Sequence, residues 1–390
     1  MLVGIDRLPS LPAVVRDLTR SRVGLLAHPA SVTRDFTHTL DALRALGVTP
    51  RILFGPEHGW AGHAQDMIGV DDGHGSPTGM RVVSLYGEQY EDLTPKYDDL
   101  RGLDVVVIDL QDVGARYYTF VWTAVLMARA CAKAKVRVLV LDRPNPLGSA
   151  IEGRLQEDAF RSFVGLELLP IRHGLTVGQV VGWRAAVEGY ADNVTVVAVR
   201  GLDLDEHATA WDRPFVMPSP NMPTYETALV YPGGCLLEGT NLSDGRGTTR
   251  PFELTGAPWV DGQVLADDLR ETRLPGFVAR AISFEPTFHK HAKQTCGGVQ
   301  IHVTDPRTFR PVATYVALVA SAHHRWPDAF RFRTEKYEFV DTIPAFDLLT
   351  GSSVARERIL SGDEPRAIAE AISTVGPAEI AVIREALAAF

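Results

Sequence analysis

Residues 105–120 read VVVIDLQDVGARYYTF, and the fold follows from how that stretch is divided. VVVIDL (105–110) is an unbroken β-branched and aliphatic run, as expected of a strand whose two faces are both covered by helices. A polar turn follows, and FVWTAVLMARACAKAK then carries apolar residues at helical spacing. Working outward, the same strand, turn and helix order recurs. VGLLA (23–27), RILF (51–54) and VRVLVLD (136–142) read as further buried strands, THTLDALRALG as a helix between the first two, and NVTVVAV (193–199) as the closing strand. Strands alternating with helices define an α/β fold with a Rossmann-like parallel sheet.

After about residue 204 the composition shifts to loops rich in Pro, Gly and Asn, such as PSPNMPT, YPGG and EGTNLSDGRGTTRPFELTGAPW. VLADDLRETRL and GGVQIHVTD then resume helix and strand patterns. The expected organisation is a Rossmann-like domain over 1–204, carrying the main catalytic loops, and a smaller α/β domain over 205–390 that closes a cleft. The Ala-rich end, PAEIAVIREALAAF, reads as a packing helix.

Composition excludes several function classes. With 39 Lys and Arg against 48 Asp and Glu, the net charge is -9, which leaves no global positive field to attract nucleic acid or an anionic membrane. An anionic ligand must then be held by local arginines. Cys131, Cys235 and Cys296 are odd in number and lack C-x-x-C spacing, so they read as buried free thiols. No basic segment leads into an apolar run at the N-terminus, and no stretch is long enough to span a bilayer. The chain as written is expected to be cytoplasmic, with export open should translation begin upstream of Met1.

Ligands of an open parallel sheet bind beyond the carboxyl ends of its strands. His28 follows the first strand, Glu57 and His58 the second, and Gln111, Asp112, Arg116, Tyr117 and Tyr118 the third; Arg143 and Asn145 follow the fourth, while Asp109 and Asp142 end strands. Gathering such groups at one edge is costly unless they pair or bind something. The loop FGPEHGW is rigid enough to present Glu57 at a fixed place, which makes it the candidate general acid for a leaving group that departs poorly unless protonated. A helix N-cap or a surface ion pair is the competing reading. Opposite a scissile glycosidic bond a second carboxylate is required, about 5 Å away as nucleophile or roughly 6.5 to 9.5 Å away as base. Asp112, Asp109, Asp142 and Glu238 qualify by type; Asp112 is placed ahead. Arg116, Arg143 and Arg246 are candidates to clamp a carboxylate with their planar forks. Of the adjacent Tyr117 and Tyr118, one is expected to face the core and the other the cleft. Asn221, Asn241 and Glu238 from the second domain complete the candidate ligand-binding set.

Other signals fail on spacing. GRG at 245–247 lacks the strand before it and the full G-x-G-x-x-G pattern, and no Walker A sequence occurs. His58, His63 and His74 with Asp66, Asp71 and Asp72, or His289 with His291, could suggest a metal, but none has a spacing that sets two ligands on one helix face. Neither a metal nor a cofactor is expected. HGWAGHAQDMIGVDDGHGSPTGM (58–80) reads instead as a long substrate loop over the cleft.

Taken together, FGPEHGW, SLYG, DLQDVGARYYTF, LDRPNP, SFVG, RHGLTVGQ, PSPNMPT, YPGGCLLEGTNLSDGRGTTRPFE and GAPW resemble, in order, the motif series of the exo-β-N-acetylmuramidases, formerly a domain of unknown function. The resemblance covers about residues 20 to 300. It implies a Rossmann-like major domain joined to a smaller one, with the active site between them, and hydrolysis of non-reducing terminal β-1,4-linked N-acetylmuramic acid from peptidoglycan fragments during cell-wall recycling. The family's P-E-H-G glutamate falls on Glu57, and the lactyl carboxylate of muramic acid would give an arginine its purpose. Two departures, AHPAS at 27–31 in place of an Asn-Pro-Thr/Ser sequence and Gln179 where Gly-Glu is usual, bear on the specificity of the sugar pocket. Competing classes are a muropeptide-binding protein without turnover and a metal-dependent hydrolase.

Overall fold

A computed structural model of the chain describes residues 1–390 except 66, 67, 69–78, 202 and 204. Six parallel strands form the first sheet: β1 (Val23–Ala27), β2 (Ile52–Gly55), β3 (Val82–Ser84), β4 (Val105–Asp109), β5 (Arg137–Leu141) and β6 (Val194–Val197). Their order, β3-β2-β1-β4-β5-β6, is that of a doubly wound nucleotide-binding sheet. Every residue of β1, β2 and β4 is buried, which is why these strands read as continuous apolar runs. β3 was not anticipated; three residues are too few to generate a period.

Helices cover both faces. Phe120–Ala134 crosses from β4 to β5 with ten of its fifteen residues buried. Val177–Val187 precedes β6, and the C-terminal helix Pro377–Ala388 returns to pack on it. The end of the chain therefore braces the first sheet.

The second sheet is antiparallel, in the order β7-β9-β8, with β7 Leu254–Ala257, β8 Phe277–Phe284 and β9 Cys296–Val303. Helix Gly262–Glu271 packs on β8 and β9, and Pro311–Arg325 packs on that helix in turn. Against the latter lies Tyr225–Gly234, so closely that a Cβ on Gly233 would stand 2.1 Å from the Pro311 carbonyl oxygen. The YPGG sequence is thus a contact requirement.

One apolar cluster runs without a break from Val106, Ile108 and Trp122 of the first sheet's layer to Leu229, Phe252, Val299 and Val316 of the second. The two layers share a core at their junction. A smaller cluster, including Leu25, Val107 and Leu139, fills the other face of the parallel sheet. All three cysteines are free and buried. Among the described residues no helix is long and apolar enough to cross a membrane.

Candidate active site

β1 and β4 lie side by side at the centre of the sheet, where the strand order reverses, so a crevice opens beyond their ends. His28 ties the loops there together. Its Nε2 accepts from the Gln111 backbone N–H at 2.9 Å, and its Nδ1 faces the Pro218 carbonyl at 3.2 Å, which fixes the neutral tautomer with the proton on Nδ1. Burial, with the nearby Arg143 charge, pushes its pKa down to about 3. His28 therefore serves as a neutral strut that brings the PSPNMPT segment over the sheet edge.

A cavity opens beside this strut, lined from the first domain by Glu57, His58 and the run Tyr117–Phe120. Ser219, Asn221 and Met222 of PSPNMPT form its roof, and Tyr231, Glu238, Arg246, Phe252, Tyr337 and Glu338 its far wall. The loop that carries Glu57 is closed tightly: a Cβ on Gly55 would lie 2.4 Å from the Trp60 nitrogen, and His58 sits in the left-handed region at φ 70°. A non-glycine residue there is strained, and such strain gathers at functional sites. The Thr119 hydroxyl donates to Glu57 Oε2 at 2.6 Å, and among the described residues no other hydrogen bond reaches that carboxyl. Around it stand apolar and aromatic surfaces, with Tyr118 and Phe120 rings 4.8 Å apart and Tyr231 and Phe252 rings also 4.8 Å apart.

Glu238 across the cavity is held otherwise. Arg246 Nη2 donates to its Oε1 at 2.6 Å and the Tyr337 hydroxyl to its Oε2 at 2.6 Å. Arg246 also meets Asp244 at 3.0 Å and lies over the Phe252 ring at 4.7 Å. Burial works to raise the pKa of Asp244, but Arg246, Lys290 and His289 outweigh it and hold that carboxyl well below the usual range. Glu338 enters on a left-handed turn, φ 43° followed by Phe339 at φ 70°, and both its oxygens accept from the Tyr86 hydroxyl, at 3.2 and 3.1 Å. The SLYG motif, which supplies Tyr86, thereby finds a purpose.

The cavity gathers Glu57, His58, Tyr117, Tyr118, Asn221, Glu238 and Arg246 from the sequence candidates. Both tyrosines line it, rather than one. The Tyr117 hydroxyl donates to the Pro232 carbonyl; that of Tyr118 is buried beside Ser219 with no well-formed hydrogen bond. Burial drives both phenol pKa values far up, so both remain protonated.

The remaining candidates lie outside the lining. Asp112 Oδ2 accepts from the Gly114 N–H at 2.7 Å and faces His173 at 3.3 Å, so this carboxylate braces its own loop. Arg116 is wholly enclosed, donating to the carbonyls of Arg154, Leu169 and Leu349 and to Gln156. Arg143 pairs with Asp109 through two nitrogens, and neither guanidinium can reach a ligand. Asp142 accepts from the Thr176 hydroxyl at 2.8 Å and the Gly178 N–H at 2.7 Å, capping the helix that begins at Val177. Gln111 Nε2 donates to the Asp112 and Pro144 carbonyls; Asn145 accepts from Leu147 in its own loop and donates to the Leu175 carbonyl in the next, and Asn241 holds Arg331 and Ala329. Neither departure from the motif series touches the lining, since Gln179 closes a capping box with Thr176 and His28 is the strut.

Ser219, Met222, Tyr231, Phe252 and Val164 were not singled out, although each lies within a quoted motif; Tyr337 and Glu338 lie in none, and only the fold brings them in. The cluster weighed around His74, Asp66, Asp71 and Asp72, and most of the expected substrate loop, fall outside the described residues. Among the described residues no group of three His, Cys, Asp or Glu side chains is placed to hold a metal ion.

Comparison with known proteins completes the description. Residues 23–226 match the family model described as exo-β-N-acetylmuramidase NamZ, N-terminal, and residues 229–375 match its C-terminal counterpart. The chain is 39% identical over 365 residues to the peptidoglycan β-N-acetylmuramidase NamZ of Bacillus subtilis (strain 168), across 92% of this chain and 84% of that protein. Two crystal structures of DUF1343 family proteins from Bacteroides fragilis NCTC 9343 superpose over 100% of this chain and 98% of theirs. One has a TM-score of 0.85 at 28% identity and the other 0.75 at 24%.

Proposed function

The chain belongs to the exo-β-N-acetylmuramidase family, and from that premise we propose that it is a glycoside hydrolase releasing N-acetylmuramic acid from the non-reducing end of peptidoglycan fragments, with Glu57 as general acid. The observation that carries this reading is the contrast between two carboxylates facing one cavity. Glu57 is 8% exposed, has a single hydroxyl partner and stands among aromatic rings, whereas Glu238 is held by a guanidinium and a phenol. A carboxyl with one neutral partner is left open to a leaving-group oxygen, whereas one gripped by a guanidinium and a phenol is fixed in place.

Glu57 protonates the glycosidic oxygen as the bond to the leaving sugar lengthens. Glu238, held in place by Arg246 and Tyr337, faces the developing positive charge at the anomeric carbon, as nucleophile or as base for water. This takes the second-carboxylate role from Asp112, whose bonds to its own loop hold it out of the cavity. Of the three arginines weighed for a lactyl carboxylate, Arg246 is the one in the cavity lining. Tyr117, Tyr231 and Phe252 belong to the apolar core that the two sheets share, so this side of the cavity is built on fixed packing. The chemistry assigned to these side chains needs no cofactor.

The test is release of chromophore from a β-N-acetylmuraminide beside the matching β-N-acetylglucosaminide, with and without chelator. Cleavage of the muraminide alone, indifferent to chelator, is the expected result. No cleavage of either sinks the assignment in favour of a binding role, and loss of cleavage with chelator sinks it in favour of a metal-dependent hydrolase.

A further inference from the structure

The one hydroxyl that meets the Glu57 carboxyl comes from Thr119, which stands at the start of a helix where such a hydroxyl ordinarily has another task. We propose that Thr119 is a positioning residue for acid catalysis: by holding Oε2 it keeps the transferable proton of Glu57 on Oε1, free for the glycosidic oxygen. The proposal rests on the exo-muramidase reading above, with Glu57 as general acid.

Three observations support it. The first is a diverted cap. Thr119 is the N-cap of the helix Phe120–Ala134, a position where a threonine side chain commonly accepts from the N–H groups of the first turn. Here φ is -65° and ψ is -11°, the residue already has helical backbone, and its side chain makes no cap bond. The hydroxyl turns instead to the loop beyond β2 and donates to Glu57 Oε2 at 2.6 Å.

The second is fixity. Thr119 is buried, and its carbonyl accepts from the Trp122 and Thr123 N–H groups at 3.0 and 2.9 Å. Trp122 Nε1 donates to the Arg116 carbonyl at 2.6 Å, and the Arg116 guanidinium is anchored in turn on the carbonyls of Arg154, Leu169 and Leu349. Branching at Cβ restricts the side chain to few rotamers, so this backbone sets the direction of the hydroxyl. Arg116 and Trp122 lie outside the cavity lining and still share in placing it.

The third is the proton count. A threonine hydroxyl carries one proton, and among the described residues Glu57 Oε2 is its only acceptor. The carboxyl's own proton then belongs on Oε1, which no hydrogen bond reaches among the described residues. As the bond between the anomeric carbon and the glycosidic oxygen breaks, its electron pair stays on that oxygen, which takes the Oε1 proton and departs as a sugar hydroxyl. Glu57 is left as a carboxylate. A donor bond strengthens as its acceptor becomes charged, so the Thr119 bond favours the transition state over the bound substrate.

The experiment compares two leaving groups: the disaccharide MurNAc-GlcNAc, whose sugar must be protonated to depart, and 2,4-dinitrophenyl β-N-acetylmuraminide, whose phenolate departs unaided. Thr119→Val keeps the shape and removes the hydroxyl. It should lower kcat on the disaccharide by about 30-fold, within the roughly 10²- to 10⁴-fold that a general acid supplies, and on the dinitrophenyl glycoside by less than about threefold. Thr119→Ser should restore the disaccharide rate to within about threefold of wild type. Each variant is read as a ratio of its two substrates, so loss of folded protein cancels, and Thr119→Ala repeats the comparison should Thr119→Val not fold. In a Glu57→Gln background the valine substitution should change disaccharide turnover by less than about twofold, because no proton remains to be placed. Equal losses on both substrates, no loss on either, a Thr119→Ser enzyme as impaired as Thr119→Val, or a full further loss in the Glu57→Gln background overturns the positioning role alone. Wild-type enzyme that cleaves neither glycoside overturns the muramidase reading and the positioning role with it.

Discussion

At the carboxyl edge of the parallel sheet, Asp109 and Asp142 are completely enclosed and fully bonded, whereas Glu57, across β1 from them, meets a cavity with one hydroxyl for company. Asp109 accepts from both Arg143 and Thr39, so a buried pair with every oxygen engaged sits at the end of β4. Asp142 closes the start of a helix. All three carboxylates lie at or just beyond the carboxyl end of a parallel strand. What separates them is whether neighbouring loops and helices supply enough donors; where they do the carboxylate is architecture, and where they do not an acceptor is left for a ligand. Burial alone therefore does not mark the chemistry.

The sharpest way to break this contrast is Glu57→Gln. The amide keeps the shape and can still accept from Thr119, but it carries no transferable proton. Turnover of an unactivated disaccharide is expected to fall by about 10³-fold, roughly 4 kcal/mol of barrier, while the melting temperature stays near wild type. Near-normal turnover would return Glu57 to the architectural class.

Asp109→Asn is the mirror experiment. It leaves the Arg143 guanidinium buried, 3% exposed, without its counter-charge, and should cost about 3 to 5 kcal/mol of stability by denaturant melts. Turnover per folded molecule should stay within a few-fold. An Asp109→Asn enzyme of normal stability and lost activity would show that the latch takes part in the chemistry.

The same distinction accounts for what the sequence could tell. Five of the six parallel strands, the Glu57 loop and the PSPNMPT and YPGG segments are legible, because each depends on local pattern or on a motif with its own turn chemistry. Arg116 and Arg143 read as ligand clamps because an arginine beside a strand end looks the same whether it meets a substrate or the carbonyl of Leu349, 233 residues away. Asp112 misled for a related reason: its partner His173 lies 61 residues on, in another loop. Tyr337 and Glu338 gave no signal at all. They reach the cavity through Tyr86 and Arg333, contacts that only the closed chain makes.

Glu152 gives the comparison its finest test, since it is a buried carboxylate whose donors do not suffice. It crosses from the first domain to accept from the Val312 and Ala313 N–H groups at 3.2 and 2.9 Å, at the start of the helix Pro311–Arg325. Burial nonetheless pushes its pKa up to about 7, against the pull of those amides and of Arg172. The folded chain then binds this proton more tightly than the unfolded chain, whose glutamate titrates near 4.3. Between those values the folded state holds more protons, so stability falls as pH rises through the window, by up to roughly 4 kcal/mol above pH 7. In Glu152→Gln the side chain is neutral throughout, and that part of the slope disappears. Its absolute stability shifts as well, because the amide nitrogen cannot accept from either backbone donor, so the readout is the difference in slope between wild-type and variant melts from pH 4.5 to 8. Asp142, raised to about 6 by burial, bends both curves alike and cancels in that difference. Parallel curves would mean that Glu152 is as well satisfied as Asp109, and that the interdomain contact belongs with the latches.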